Sequence, residues 1–472
     1  MRETTRIRRA PDHEARGAAH EGRAPARERR GAAQERRAPA RERRLVAGVR
    51  RAAARIDAVT PPERDRAVDA LRALAILGVV LGHWLVTALV ADGGTLRTAS
   101  PLGDMPRLAP VSWMFQTLAV FFMVGGHVAT RSLASARARA GARGTSLPPG
   151  VYGIWLWARL KRLFTPVLAV LAVWSVAAAG LLLGGASFVT VHTVVKLALS
   201  PLWFLLVFAV LTAATPLLAR LNPLWPLAVV LHVDLVRFGL GGGPSWLGWV
   251  NVAAGWLVPY TLGAAWTRGE LERPRAGWIL LLGGTASTAA LVGWAGYPVS
   301  MVGVPGAAVS NLDPPTLAAV TFGLAQCGLA LLLRDRLRRA LRRPTAWAAV
   351  ALVNLSAMTV FLWHQTALMA TTATGLLAGR LPGLHTVPDG LDWVAARLLW
   401  LPVFALVLGV CWAAFHGFES GGGRRVPRRA GRSRVVRAGG RTEPAQPRRS
   451  RGVSGAFLSD QDGSGSRESR RV

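Results

Sequence analysis

Lysine is nearly missing from this 472-residue chain, present only at Lys161 and Lys196, and there are only two cysteines, Cys327 and Cys411. The cysteines sit in separate apolar stretches without paired spacing, which argues against a disulfide framework and a zinc site. Packing is their expected role, and no metal is expected. Acidic groups are scarce as well: 25 Asp and Glu face 57 Lys and Arg, for a net charge of +32. In a soluble chain that balance would suggest nucleic acid. Here the arginines flank apolar segments, where they set topology and meet anionic lipid, so membrane lipid is the expected partner and nucleic acid is not. The first 60 residues lack the apolar core of a cleavable signal peptide, and the first hydrophobic helix is expected to act as an uncleaved insertion signal.

What the chain has in quantity is apolar sequence, at 51% of residues. Runs of spanning length, about twenty residues, recur near 70–91, 111–130, 163–183, 201–219, 224–240, 247–267, 276–297, 315–333, 346–370 and 393–416. The fifth is short and carries His232, Asp234 and Arg237. The predicted fold is therefore all-α, a polytopic membrane bundle of about ten helices over residues 66–416, flanked by basic tails at 1–65 and 417–472. Residues 1–66 hold nineteen Arg, and the octet RAPARERR occurs at 23–30 and again at 37–44. Such a composition buries too little apolar surface to offset ordering entropy. Both tails are expected to be disordered, or in the first case at most a helix lying on lipid.

Loop charge tests the count. With the N-terminus inside, the cytoplasmic loops carry Arg131, Arg137, Arg139, Arg143, Arg159, Lys161, Arg162 and Arg220, then Arg268, Arg273 and Arg275, then six arginines between Arg334 and Arg343. The outer loops carry only Arg97, Arg107, Lys196, Arg237 and Arg380. The asymmetry predicts a plasma-membrane protein with both termini cytoplasmic.

Ionisable groups at bilayer depth are costly and mark candidate sites. Arg72 and His83 are eleven residues apart, close to three whole turns, so one helix face carries both about 16 Å apart. An imidazole at mid-membrane can take a proton from a hydroxyl, and an Arg at the mouth of the same groove can hold a phosphate. A snorkelling Arg and a hydrogen-bonded interior His fit the pattern equally. No acid in the same helix can partner His83, so any partner must come from another helix. Arg159, Lys161 and Arg162 precede Pro166 at the predicted entry to the third helix; they read as boundary anchors or as a grip on a phosphorylated donor. His127 follows the pair Gly125 and Gly126, which permits close helix approach. His364 follows Trp363 and is a belt residue or a site residue. Asp234 and Arg237 are spaced to pair with each other. The Pro- and Gly-rich loop Tyr297–Pro315 either caps a cavity or only links two helices.

The run VDALRALAILGVVLGHW, Val68 to Trp84, resembles the opening of the acyltransferase family 3 proteins, membrane enzymes that O-acylate carbohydrates and other acceptors. That family places an Arg and a His in its first helix with ten residues between, as Arg72 and His83 stand here. Its pair of Arg before a Pro is matched by Arg159, Arg162 and Pro166. FFMVGG at 121–126, PLWFL at 201–205 with Trp203, and TVFLWH at 359–364 resemble its weaker patches. The usual Ser-Gly of the second-helix patch reads Gly125-Gly126, with His127 following. No soluble esterase-like domain is expected after the tenth helix. The resemblance implies ten helices and a transferase of acyl groups other than aminoacyl. By this likeness an acyl-CoA would be co-substrate, with no resident cofactor; Arg72, Arg159 and Arg162 would lie near its phosphates, and His83 would be the general base on a carbohydrate, glycolipid or metabolite hydroxyl. His127, His364, Trp203 and Asp234 are further candidates. The same intramembrane polar residues also describe the pathway of a transporter or flippase, and a lipid-binding membrane protein is a third class.

Overall fold

The computed structural model describes residues 44, 46–93, 95–142, 150–239 and 242–419. Most of both expected disordered tails, and Arg143, lie outside the described residues. Residues 46–58, inside the first expected tail, are helical. Ala and Arg are strong helix formers, and tertiary contacts hold this helix at its end. Arg66 pairs with Asp57 at 2.7 Å, and Trp347 donates to the Thr60 hydroxyl at 2.8 Å.

The body is a helical bundle with one small antiparallel hairpin. Helix α1 (Arg66–Val86) runs into strands β1 (Ala88–Asp92) and β2 (Thr95–Ala99), followed by one-turn helices up to Ser112. Then come α2 (Leu118–Gly141), α3 (Gly150–Leu183), α4 (Phe188–Leu199), α5 (Leu202–Ala213), α6 (Leu224–Asp234) and α7 (Val250–Thr267). The chain continues through α8 (Pro274–Gly293), α9 (Leu317–Ala340), α10 (Pro344–Leu355), α11 (Ala357–Gly375) and α12 (Leu391–Glu419).

Helix α1 starts where the Asp65 carboxylate accepts from the Ala67 and Val68 amides, an N-cap that satisfies two orphan donors. It is the hub, in contact with α2, α9, α10, α11 and α12. Small residues let it be surrounded: Ala67, Ala70, Ala73, Ala75, Gly78 and Gly82 are buried. Helices α2 and α7 approach more closely still. A Cβ on Gly126 would lie 2.0 Å from the Tyr260 carbonyl oxygen, and one on Gly263 would lie 1.9 Å from that of Met123. Close approach through small residues is the usual source of helix association in lipid.

Among the described residues, seven helices are long and apolar enough to cross a membrane, counting α4 and α5 as one, and eight if the α10–α11 pair, bent by 71°, is a single span. The expected ten are not reached, and the fifth and sixth segments account for the difference. Helix α6 has 11 residues, about 16 Å, and ends at Asp234 in a π-helical turn. Helix α7 has 18 residues but is buried on nearly every side among its neighbours, so it need not be as apolar as a lipid-facing helix. Two boundaries also move. The second span begins at Leu118 instead of 111, because Pro106 and Pro110 hold short helices there. Helix α3 begins at Gly150 and passes straight through Pro166, which membrane helices tolerate; Arg159 and Arg162 are therefore inside a 34-residue helix instead of ahead of it.

The outer faces are apolar. Leu168 and Val176 on α3, and Leu399, Leu406 and Val410 on α12, are exposed by 65% or more. Faces of this kind are untenable in water and normal against lipid tails, and the protein is a multi-pass membrane protein.

Candidate active site

Helix α1 presents His83 to one cavity and Arg72 to another. The His83 cavity, about 560 Å³, opens toward the hairpin end of the bundle, where Thr98 and Val302 form part of its rim. Loop residues Val302, Gly303, Pro305 and Leu312 line it, so the Pro- and Gly-rich loop caps this cavity. Asn311 fixes the loop by donating to the carbonyls of Pro298 at 2.6 Å and Ser300 at 3.0 Å.

The partner that α1 could not supply comes from α11. Gln365 Nε2 lies 3.0 Å from His83 Nδ1, while Gln365 Oε1 is buried without a partner. Turning the amide over places Oε1 against an Nδ1–H and leaves His83 Nε2 as the lone-pair nitrogen; the two orientations are distinguished only by their hydrogen bonds. Beside it, His364 is fully buried, donates from Nδ1 to the Phe361 carbonyl at 2.6 Å, and has no partner at Nε2. The His83 and His364 rings are 5.1 Å apart between centroids. His364 does not line the cavity; Trp203 does, in contact with Phe204 and Trp256.

The end of α1 is held by a residue that loop-charge counting had no reason to single out. Arg397, 1% exposed, donates to the carbonyls of Trp84 at 2.6 Å, Gly383 at 2.8 Å and Thr87. Its guanidinium stacks on Trp393 and Phe404 at 5.4 and 4.8 Å. Trp84 in turn donates to the His364 carbonyl at 2.9 Å, tying α1 to α11 at the level of both imidazoles.

The second cavity, about 230 Å³, lies toward the arginine-rich end and brings together Arg72, Arg159 and Arg162. Lys161, between them in sequence, is exposed and does not line it. Arg72 is oriented by Asn354 Oδ1 at 2.6 Å and by Asp69 at 3.2 Å. Arg159 donates to the Ser132 hydroxyl and stacks on Trp155 at 4.7 Å. Glu419, the last residue of α12, closes the cavity by accepting from the Met358 and Thr359 amides at 3.0 and 3.1 Å. Those amides are the free N-terminal donors created by the α10–α11 break, a natural seat for an anion.

Phe204 and Phe361 line both cavities, with ring centroids 5.3 Å apart. They form the wall between the arginine cluster and His83.

Two sequence candidates lie elsewhere. His127 lines neither cavity; its ring stacks on Trp266 at 4.2 Å and its Nδ1 lies 3.0 Å from the Thr267 hydroxyl. Asp234 lines neither as well, and its expected pairing with Arg237 is not formed. Its carboxylate accepts from the Leu317 amide at 2.6 Å, Asn251 at 2.9 Å and Tyr297 at 3.1 Å. Three neutral donors from other elements reach it, while the Arg237 guanidinium turns over Phe238 at 4.7 Å. Burial first, and then the Asp234 carboxylate, push the Tyr297 phenol up, so it donates to that carboxylate as a neutral group. Among the described residues no group of His, Cys, Asp and Glu could hold a metal. Cys327 and Cys411 are free thiols, the first buried and the second half-buried.

A family model described as an acyltransferase domain, Acyl_transf_3, matches residues 65–416. Neither the curated proteins nor the solved structures yield a match.

Proposed function

Since the chain belongs to the Acyl_transf_3 acyltransferase family, we propose that it moves an acyl group, acetyl being the simplest, from acyl-CoA to the hydroxyl of a carbohydrate, glycolipid or metabolite across the Phe204–Phe361 wall. The observation that carries this reading is the shared wall. A cavity lined by three arginines and a mainly apolar cavity that holds His83 share Phe204 and Phe361 as lining side chains.

The donor's phosphates would pair with Arg72, Arg159 and Arg162, which suit anions geometrically and stay charged. Its thin pantetheine arm would cross the wall by parting the Phe204 and Phe361 rings, which pack 5.3 Å apart between centroids, and present the thioester carbonyl to the His83 side. His83 Nε2 takes the proton of the acceptor hydroxyl as the oxygen attacks the carbonyl carbon. The carbon–sulfur bond breaks, and the imidazolium returns the proton to the departing thiolate, giving ester and free CoA thiol. For this, Nδ1–H must donate to Gln365 Oε1, and the imidazolium is then stabilised by a charge-assisted hydrogen bond. Loop charge supports an orientation with the arginine cavity facing the cytoplasm, where acyl-CoA is made, and with both termini there.

The same two facing cavities also suit a transporter or flippase, in which the phenylalanine wall would be a gate. The discriminating assay is release of CoA thiol from acetyl-CoA by the purified protein in lipid vesicles with envelope glycan as acceptor. Acceptor-dependent release that His83→Ala abolishes at equal expression supports the transferase. Full acyl transfer by His83→Ala would exclude His83 as the base, and glycan flux without CoA release would favour the transporter.

A further inference from the structure

A third cavity, about 490 Å³, sits at the N-terminus of α1 and shares no residue with the other two. Pro62, Glu63, Arg64, Asp65, Arg66, Arg131, Arg334 and Arg338 line it, so five guanidinium groups face two carboxylates. Most of these arginines are already paired within the protein. Arg64 pairs with Asp69, Arg66 with Asp57, and Arg338 with Asp65 at 2.7 Å.

Two are not fully used. Arg334 reaches Asp65 only at 3.4 Å, and its Nε is buried without an acceptor. Its guanidinium lies over the Trp266 ring at 5.1 Å, and the same ring stacks with His127 at 4.2 Å, so packed aromatic contacts hold Arg334 in place. The Arg131 guanidinium forms no ion pair among the described residues. A buried guanidinium N–H without an acceptor is costly, and a held, under-satisfied arginine with a second, exposed one beside it in a concave site suits a phosphate. Asp65 is itself spent, capping α1 and bridging Arg334 and Arg338.

We propose that this cavity is a second phosphate site, independent of the catalytic reading above, in which Arg131 and Arg334 bind a phosphate group and Arg338 guards the rim. The ligand is either the headgroup of an anionic phospholipid, since the cavity lies at a helix start where headgroups reside, or a soluble phosphate.

The full-length protein in detergent distinguishes these sources. Phosphatidylglycerol is titrated against phosphatidylcholine with bound lipid counted by native mass spectrometry, and sodium pyrophosphate is titrated against chloride at equal ionic strength with the melting temperature as readout. Arg131→Gln is the main variant, because Arg131 is exposed and forms no ion pair among the described residues, so the fold is expected to tolerate its loss. Arg334→Lys is the second; it keeps the charge but removes the guanidinium. The expected result is preferential binding of one probe, weakened about tenfold by Arg131→Gln and also weakened by Arg334→Lys, and unaffected by Arg159→Gln in the other arginine cavity. A response to phosphatidylglycerol assigns the site to lipid, and a response to pyrophosphate alone assigns it to a soluble phosphate. No preference for either probe, or affinity unchanged in both variants, overturns the proposal.

Discussion

Replacing Gln365 by Leu tests whether the α11 amide serves His83 in catalysis. Gln365 is fully buried, its amide is the hydrogen-bond partner of the His83 ring among the described residues, and whichever way the amide is turned its other end is unpartnered. Leucine has nearly the same volume. The substitution leaves the His83 ring nitrogen without its partner, at a cost of about 1–3 kcal/mol, and also removes the unsatisfied end of the buried amide, worth a similar amount, so the net change in stability should be small. The transition state responds differently, because the imidazolium then loses a charge-assisted bond worth about 1.5–3 kcal/mol. At about 1.4 kcal/mol per decade, kcat should fall about 10- to 100-fold. KM for acyl-CoA should not move, since Gln365 borders the His83 cavity and not the arginine cavity. CoA-thiol release by purified protein in vesicles, alongside a melting curve, separates the two effects. Wild-type kcat in Gln365→Leu would refute the role of the amide, as would a kcat loss matched by a large drop in melting temperature.

Arg397→Met should lower stability by about 3 kcal/mol or more, because the carbonyls of Trp84, Thr87 and Gly383 lose their donors in a buried site; thermal melting in detergent measures it. Arg159→Gln should raise KM for acyl-CoA about tenfold with little change in kcat, as removal of one charge-assisted phosphate contact would do. Gly126→Val should prevent the folded monodisperse peak in size-exclusion chromatography, since even the Cβ would meet the Tyr260 carbonyl oxygen at 2.0 Å. Burial alone would raise the Asp65 carboxyl, but Arg338, Arg334 and the Val68 amide outweigh it and hold it below the ordinary carboxylate range. A lowered folded-state value contributes stability above the unfolded pKa and loses it as pH falls through the folded one. Asp65→Asn should therefore melt below wild type at pH 7, with the difference closing below about pH 4.

Much of the layout of the two cavities was legible from spacing. Eleven residues at 100° each put Arg72 and His83 on one face of one helix, and α1 is a single unbroken helix that carries them to two different cavities. Arg159 and Arg162 were legible as a pair, though their place inside α3 was hidden by Pro166, which reads as a helix start and stands mid-helix. Gln365 was overlooked beside the more familiar His364, although an amide in the run TVFLWHQT is itself a signal of buried polarity. Arg397, Asn354 and Glu419 had no signal at all. Asn354 and Arg397 act on a helix about 280 to 310 residues away and Glu419 on amides 60 and 61 residues away, and spacing carries no such information.

The sequence by itself determined the membrane character, because apolar runs of spanning length and arginine-flanked loops leave no soluble alternative. It determined too that Arg72 and His83 share a face, since helix geometry allows nothing else once α1 forms. The number of spanning helices was decided by tertiary packing, which lets α7 be less apolar because protein and not lipid surrounds it, and lets α6 stop after 11 residues because three neighbouring donors receive Asp234. Packing alone also decided that Phe204 and Phe361, more than 150 residues apart in the chain, form one wall between the arginines and the histidine.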